Sequence, residues 1–436
     1  MDHRGLRRGH KSTQRERLLA SVVSAVDRGG YANANVSKII TEAGVSRPTF
    51  YEYFSDKEDC FLGALNDIHE RLLELVRRNV EKSPPQMALQ ASLAAIVEFA
   101  FAEPAQALFL TSQALGAGPR ALDARDAGIA EIDQLIHEAH ARASPTAPVP
   151  DISPQILIGG VYRLLASRLR RGEPGLLRAI DDLSAWVGSY AWPAGGWRWH
   201  SGNLPLVQAP TPRSTLGPLP PPLSLARHAP GRSKEQAAAN QRERILHAAA
   251  QLAEQKGYNA TTIADVTRQA GVDGRTFYAA FSDKQDAFMA VHEFGVKQVM
   301  SATAGAFFTG VSWPERIWAA GLAFAGFLES NPLIAHVGFV EAYAVGPGAV
   351  QRVEDSHVTF TIFLQEGYQQ KATGTPPSRL ALEAIITSIF EIVYREARSR
   401  ERPRVSRMLG AMAFLALAPF VGAEEASRFI DRQLTT

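Results

Sequence analysis

The sequence predicts an all-α chain made of one helical unit used twice, and three observations carry that expectation. The stretch Ala43-Gly44-Val45-Ser46-Arg47-Pro48-Thr49-Phe50-Tyr51-Glu52-Tyr53-Phe54-Ser55-Asp56-Lys57 returns 227 residues later as Ala270-Gly271-Val272-Asp273-Gly274-Arg275-Thr276-Phe277-Tyr278-Ala279-Ala280-Phe281-Ser282-Asp283-Lys284. An ungapped alignment of residues 15–62 with 242–289 gives 18 identities in 48 positions, and after one inserted residue Glu103-Pro104 falls on Asn331-Pro332 and Gly118-Pro119 on Gly346-Pro347. A fixed offset over this length marks a duplication. Outside a proline-rich stretch, the apolar residues recur at helical rather than strand spacing.

The elements follow in order. Leu18, Leu19, Val22, Val23 and Val26 form one apolar stripe that stops at Gly29-Gly30, and Ile245, Leu246, Ala249, Ala250 and Ala253 repeat it up to Gly257. Asn35 and Thr262 stand where a side-chain oxygen caps a second helix, and Asp265 completes a short capping box with Thr262. Gly44 and Gly271 permit the turn at positive φ, and Ser46 and Asp273 cap a third short helix. Each copy is thus a helix-turn-helix. A long helix runs from Lys57 to the break at Ser83-Pro84-Pro85, and its counterpart from Lys284 to about Phe308. The rest of each half is apolar at helical period between turn residues, for about nine helices per half. Between Trp192 and Ser233 nine prolines among scattered glycines mark a linker, which Trp192, Trp197 and Trp199 are expected to pin to the preceding helices.

Composition narrows the setting. Of 436 residues only Cys60 is a cysteine, which excludes a disulfide framework or thiolate cluster and suits a reducing cytosol; Cys60 is expected to be an inert packed thiol. The N-terminus lacks the apolar core of a secretory signal. The apolar, uncharged run Met408 to Ala423 has 16 residues, too few to cross a bilayer, so no membrane partner is expected. The net charge is only +2, but it is unevenly spread: residues 1–17 hold six basic groups against two acidic ones, and residues 227–244 five against two. Both basic arms precede a helix-turn-helix, where they could reach phosphates. Gly-x-Ser-x-Gly, His-Glu-x-x-His, phosphate-loop and Cys-His metal spacings do not occur in the sequence, so no enzyme, cofactor or metal is expected.

A helix followed by Ala-Gly-Val-(Ser/Asp)-x-x-Thr-Phe-Tyr-x-x-Phe-Ser-Asp-Lys and a less patterned helical body resembles the tetracycline-repressor (TetR) family of bacterial transcription regulators, here in tandem. The resemblance implies helix-turn-helix heads at 12–72 and 239–299, ligand-binding and dimerisation bodies at 73–192 and 300–436, and a linker at 193–235. It makes residues 46–53 and 273–280 the recognition helices. Ser46, Arg47, Pro48, Thr49, Tyr51, Tyr53 and Lys57 are then the DNA-binding set of the first head. Thr262, Asp273, Gly274, Arg275, Thr276, Tyr278 and Lys284 are that of the second.

In this reading Arg47, Thr49 and Tyr53 face base edges or phosphates, Tyr51 and Tyr278 contact phosphate, and exposed Lys57 and Lys284 ammonium groups do likewise. Phe50, Phe54, Phe277 and Phe281 are core. Pro48 costs nothing in a first helical turn. Gly274, Ala279 and Ala280 in place of Arg47, Glu52 and Tyr53 imply unlike preferences and a weaker second head. In the bodies Phe99, Phe109, Gln113, Phe327, His336 and Glu341 are candidates to line a pocket for a small-molecule effector of unknown identity, although plain core and a structural His336–Glu341 pair are alternatives.

Such a protein would work in a bacterial cytoplasm, associated with the nucleoid. Its partner would be double-stranded DNA bearing a pseudo-palindromic operator with unlike half-sites. Repression is the common outcome that the resemblance implies. Residues 155–190 and 380–419 match the family's dimerising helices, so an intramolecular pseudo-dimer is expected, with a homodimer as the alternative. A helical ligand sensor with one working head, and a helical enzyme or scaffold that merely keeps the fold, remain the competing readings.

Overall fold

The computed structural model describes residues 3–143, 152–173, 175–190, 223, 233–370, 376–398 and 404–435, without the side chains of residues 3–13, Ala143 and Pro347. The linker at 193–235, apart from Leu223 and residues 233–235, and Trp192, Trp197 and Trp199 lie outside the described residues, as do Arg227 and Arg232. Among the described residues there is no strand.

The first half contains α1 (His3–Asn33), α2 (Val36–Ala43), α3 (Arg47–Tyr53), α4 (Lys57–Lys82), α5 (Ala88–Ala102), α6 (Pro104–Thr111), α7 (Pro119–Ala143), α8 (Pro154–Arg170) and α9 (Ala179–Gly188). The second contains α10 (Lys234–Ala260), α11 (Ile263–Ala270), α12 (Gly274–Ala280), α13 (Lys284–Phe307), α14 (Trp313–Ser330), α15 (Pro332–Phe339), α16 (Pro347–Thr359), α17 (Arg379–Arg398), α18 (Leu409–Val421) and α19 (Ala423–Thr435). Helix α19 has no counterpart among the described residues of the first half. It follows Gly422, at φ 88°, and lays one apolar face, including Phe429 and Ile430, on α18.

Two compact units result: Met1–Gly196 with Pro377–Ser388, and Trp197–Pro376 with Ile389–Thr436. The first unit therefore includes the opening turns of α17. Gly160 of α8 permits this packing, since a Cβ there would stand 2.2 Å from Ser388 Oγ and 2.7 Å from Ser388 backbone atoms. The guanidinium of Arg168 lies 3.3 Å from Glu383 in the same unit.

The first helix of each half does not end at its glycine, as the apolar stripe suggests. Gly30 (φ 74°) and Gly257 (φ 81°) kink the chain, and one further turn follows before α2 or α11 begins. Only glycine takes such angles without strain, so the break falls where the sequence places it while the helix resumes beyond it.

Helix α18 is buried along almost its whole length, as its uncharged sequence suggests. Among the described residues Pro85–Ala102 is long and apolar enough to cross a membrane by length and composition, and α14 with α15 would be if their 102° bend were ignored. The first of these stretches carries α5, which packs against α4, α6, α7 and α9, as a core helix does.

Candidate nucleic-acid interface

The local chemistry of both heads follows from capping. Asn35 Oδ1 accepts the Lys38 amide at 2.9 Å, and Gly44 at φ 60° closes α2. Ser46 Oγ accepts the Thr49 amide at 3.2 Å and lies 2.8 Å from the Thr49 hydroxyl, starting α3. In the second head Thr262 Oγ1 accepts the Asp265 amide at 3.2 Å and the Thr262 amide donates to Asp265 Oδ2 at 3.0 Å, so the capping box closes fully. Gly271 at φ 62° ends α11, and Asp273 Oδ1 accepts the Thr276 amide at 2.7 Å. Each cap satisfies helix-end donors that would otherwise be lost.

Under each recognition helix a phenylalanine pair forms the floor. Phe50 and Phe277 are fully buried, and each meets its neighbour, Phe54 or Phe281, with ring centres 5.9 Å apart. Tyr51 and Tyr278 stand edge-on against Phe50 and Phe277 at 5.3 and 5.5 Å, yet remain 50% and 61% exposed. Their rings are fixed by packing and their outer edges face solvent, the arrangement a phosphate-contacting hydroxyl needs. Ser46, Arg47 and Pro48 are exposed and Thr49 is partly so; Asp273, Gly274 and Arg275 are exposed and Thr276 partly so. Tyr53 is only half-exposed and turns into a cleft of about 560 Å³ that Arg15, Phe54, Asn66, Arg120 and Asp123 also line.

The two lysines correct the expectation of exposed ammonium groups. Lys57 Nζ donates to the Tyr31 carbonyl at 2.9 Å and sits 4.0 Å over the Tyr31 ring. Lys284 Nζ donates to the carbonyls of Tyr258 and Thr261, both at 2.9 Å, and lies 3.9 Å over the Tyr258 ring. Both are half-buried, and burial pulls both pKa values below the usual lysine value. The same burial pushes the Tyr31 and Tyr258 hydroxyls up to about 12. Each lysine clamps the turn after the glycine kink to the start of the next long helix. The repeated Gly-Tyr pairs, Gly30-Tyr31 and Gly257-Tyr258, were the sequence signal for these clamps.

The second basic arm is also partly spent. Arg244 is buried and donates through Nε to the Ala270 carbonyl at 2.7 Å, which closes the end of α11. Arg15 and Arg242 lie over the rings of Phe54 and Phe281, at 5.9 and 5.0 Å. Cys60 is buried, and burial pushes its thiol up to about 12, so the packed-thiol expectation stands.

The body candidates are dispersed. Phe99, Phe109 and Phe327 are buried, and Phe109 packs 4.3 Å from Phe61 of α4. Gln113 is half-buried. The cleft near Tyr53 is lined by none of the six residues proposed for an effector pocket. His336 and Glu341 face each other at 3.6 Å, but the other Glu341 oxygen accepts the Tyr258 amide at 2.6 Å. The structural-pair alternative therefore describes them better than the pocket, because both carboxylate oxygens are occupied by the protein itself.

The sequence profile of the family described as bacterial regulatory proteins, tetR family, matches residues 24–64 and again 245–291, the two stretches just described. Both helix-turn-helix heads thus match that family's model. Similar proteins include an uncharacterised HTH-type transcriptional regulator of Bacillus subtilis, YdgC, 38% identical over 61 residues, which are 14% of this chain and 31% of that one. The HTH-type transcriptional activator FasR of Mycolicibacterium smegmatis is 33% identical over 100 residues, 22% of this chain and 45% of that one. The chain thus spans less than half the length of these two relatives. A solved tetR-family regulatory protein from Rhodococcus RHA1 aligns over 44% of this chain and all of its own length at 23% identity, with a TM-score of 0.37. The two heads differ at the start of α3 and α12. Asp273 puts a carboxylate where Ser46 is neutral, and the hydrogen bonds from Thr276 hold it below the usual carboxylate range.

Proposed function

We propose that the chain is a transcription regulator, acting as a repressor, in which two unlike TetR heads on one polypeptide read two unlike half-sites and a small-molecule effector releases the DNA. The observation that carries this reading is the repeated surface: a capped recognition helix on a phenylalanine floor with an exposed, ring-fixed tyrosine, present in both heads. In the first head Arg47 is the base-reading group, Ser46, Pro48 and Thr49 set the helix start against the backbone, and Tyr51 contacts phosphate. In the second, Arg275 and Thr276 read and Tyr278 contacts phosphate. Lys57 and Lys284 act by holding the heads in shape.

An Arg47→Ala protein should lose about 1–3 kcal/mol on its preferred sequence and discriminate less, whereas Tyr51→Phe should weaken binding to all sequences alike. Titration of folded variants against selected and random duplexes checks this; unchanged affinity in both would remove the first head from the interface. A second reading, in which only the first head binds DNA, draws support from Asp273, from the buried Arg244 and from Ala279 and Ala280, which leave the second helix with fewer donors and a misplaced negative charge.

Assembly as an intramolecular pseudo-dimer is proposed on the resemblance of residues 155–190 and 380–419 to the family's dimerising helices. Light scattering at micromolar concentration should then give a mass near 47.4 kDa. A stable species of twice that mass with no monomer would favour a homodimer carrying four heads.

A further inference from the structure

We infer that Glu341 is a strut by which the second body positions its own head, and that the matching positions of the first half supply no equivalent carboxylate. The starting point is the kink at Gly257. With φ at 81° the helical ladder is interrupted, and the amide of Tyr258 loses its place in it. Glu341, on the turn Glu341–Ala344 just after α15, supplies the replacement acceptor at 2.6 Å. Its other oxygen faces His336 Nε2, one turn back along α15, at 3.6 Å. On the opposite side Lys284 holds the Tyr258 and Thr261 carbonyls. The short turn 257–261 is thereby gripped by a carboxylate of the body and an ammonium of α13, and it leads directly into Thr262, which starts α11.

The grip is made of charge-assisted hydrogen bonds to backbone, stronger and better oriented than neutral ones. Glycine at 257 is called for by its φ of 81° rather than by space, since a Cβ there would meet the carboxylate only at an ordinary contact distance of 3.7 Å. In the first half the lysine clamp is retained, with Lys57 on the Tyr31 carbonyl. The positions matching Glu341 and His336, however, are Gln113 and Leu108. No side chain there can present an anion to the turn after Gly30. The second head is tied to its body through a carboxylate, and any displacement of α15 is carried to the entry of α11 and α12. The first head lacks that link. Glu341 is a positioning residue, and its effect on DNA rests on the regulator reading above, whereas its grip on the turn does not.

Hydrogen exchange on the full chain tests the grip without DNA. In Glu341→Ala the Tyr258–Thr262 amides should exchange about tenfold faster, while the matching Tyr31–Asn35 amides and the buried amides of α14 keep their rates. Glu341→Gln, which keeps the shape and a neutral acceptor, should fall between wild type and Glu341→Ala. The converse graft, Leu108→His with Gln113→Glu, should slow exchange at Tyr31. Unchanged exchange at Tyr258 in a folded Glu341→Ala protein overturns the inference, as does a rise shared equally by α14, which would report general loosening. If Glu341→Ala fails to fold, Glu341→Gln and the graft decide alone, and no change in either overturns it.

Discussion

Phe50→Ala and Phe277→Ala proteins are expected to lose their respective recognition helices as DNA-binding surfaces, the largest functional effect open to a single substitution here. Each ring is fully buried beneath its helix, and emptying such a site costs about 3–5 kcal/mol, most of what a three-helix head can hold. The salt dependence of DNA affinity then separates the two functional readings. With roughly four phosphates neutralised per head, the slope of log affinity against log salt should approach about −7 for the parent chain, at about −0.9 per phosphate. If both heads bind, each variant alone should bring it near half that value. If only the first head binds, the parent itself should show the halved slope, Phe50→Ala should abolish salt-dependent binding, and Phe277→Ala should leave it unchanged. A slope unaffected by either variant, with both local structures shown to be lost, would mean that DNA is held elsewhere on the chain.

Acid sensitivity is the second large effect, and it is expected in the second unit. His292 of α13 is buried, and burial, with a smaller contribution from the Arg352 charge on α16, lowers its pKa from 6.5 to about 4. Its Nε2 lies 3.5 Å from the Ser356 hydroxyl, a distance at which little stabilisation of an imidazolium is available. Arg352 itself pairs with Glu293 at 3.5 Å. Because the folded pKa lies below the unfolded one, the unfolded chain takes up a proton between about pH 6.5 and 4 that the folded chain refuses. Stability is therefore fully present above pH 6.5 and falls on acidification through that window, by about 3 kcal/mol at most. The matching position in the first half is Leu65. His292→Leu should remove this loss, and urea unfolding of both proteins at pH 7 and pH 4.5 checks it. Equal losses in parent and variant would show that other groups govern the acid transition.

Much of the architecture was legible from residues close together in sequence. The all-helical character, both αL glycines, the caps at Asn35, Ser46, Thr262 and Asp273, and the phenylalanine floors each depend on interactions within four residues or on an apolar period, and a linear reading captures these. The glycine kinks were visible too, although the resumption of a helical turn after Gly30 and Gly257 was not, because that turn is held by groups far along the chain.

Tertiary structure decided which of the polar groups remain available. Lys57, Lys284 and Arg244 look like surface cations in sequence, but each is committed to a backbone carbonyl 23 to 26 residues away. Glu341 looks like a pocket anchor, and it binds an amide 83 residues upstream. A long charged side chain is compatible with either an exposed or a clamped position, so its type carries no information about its partner. What selects the partner is the unsatisfied backbone at a kink or helix end, and only the folded chain brings the two together.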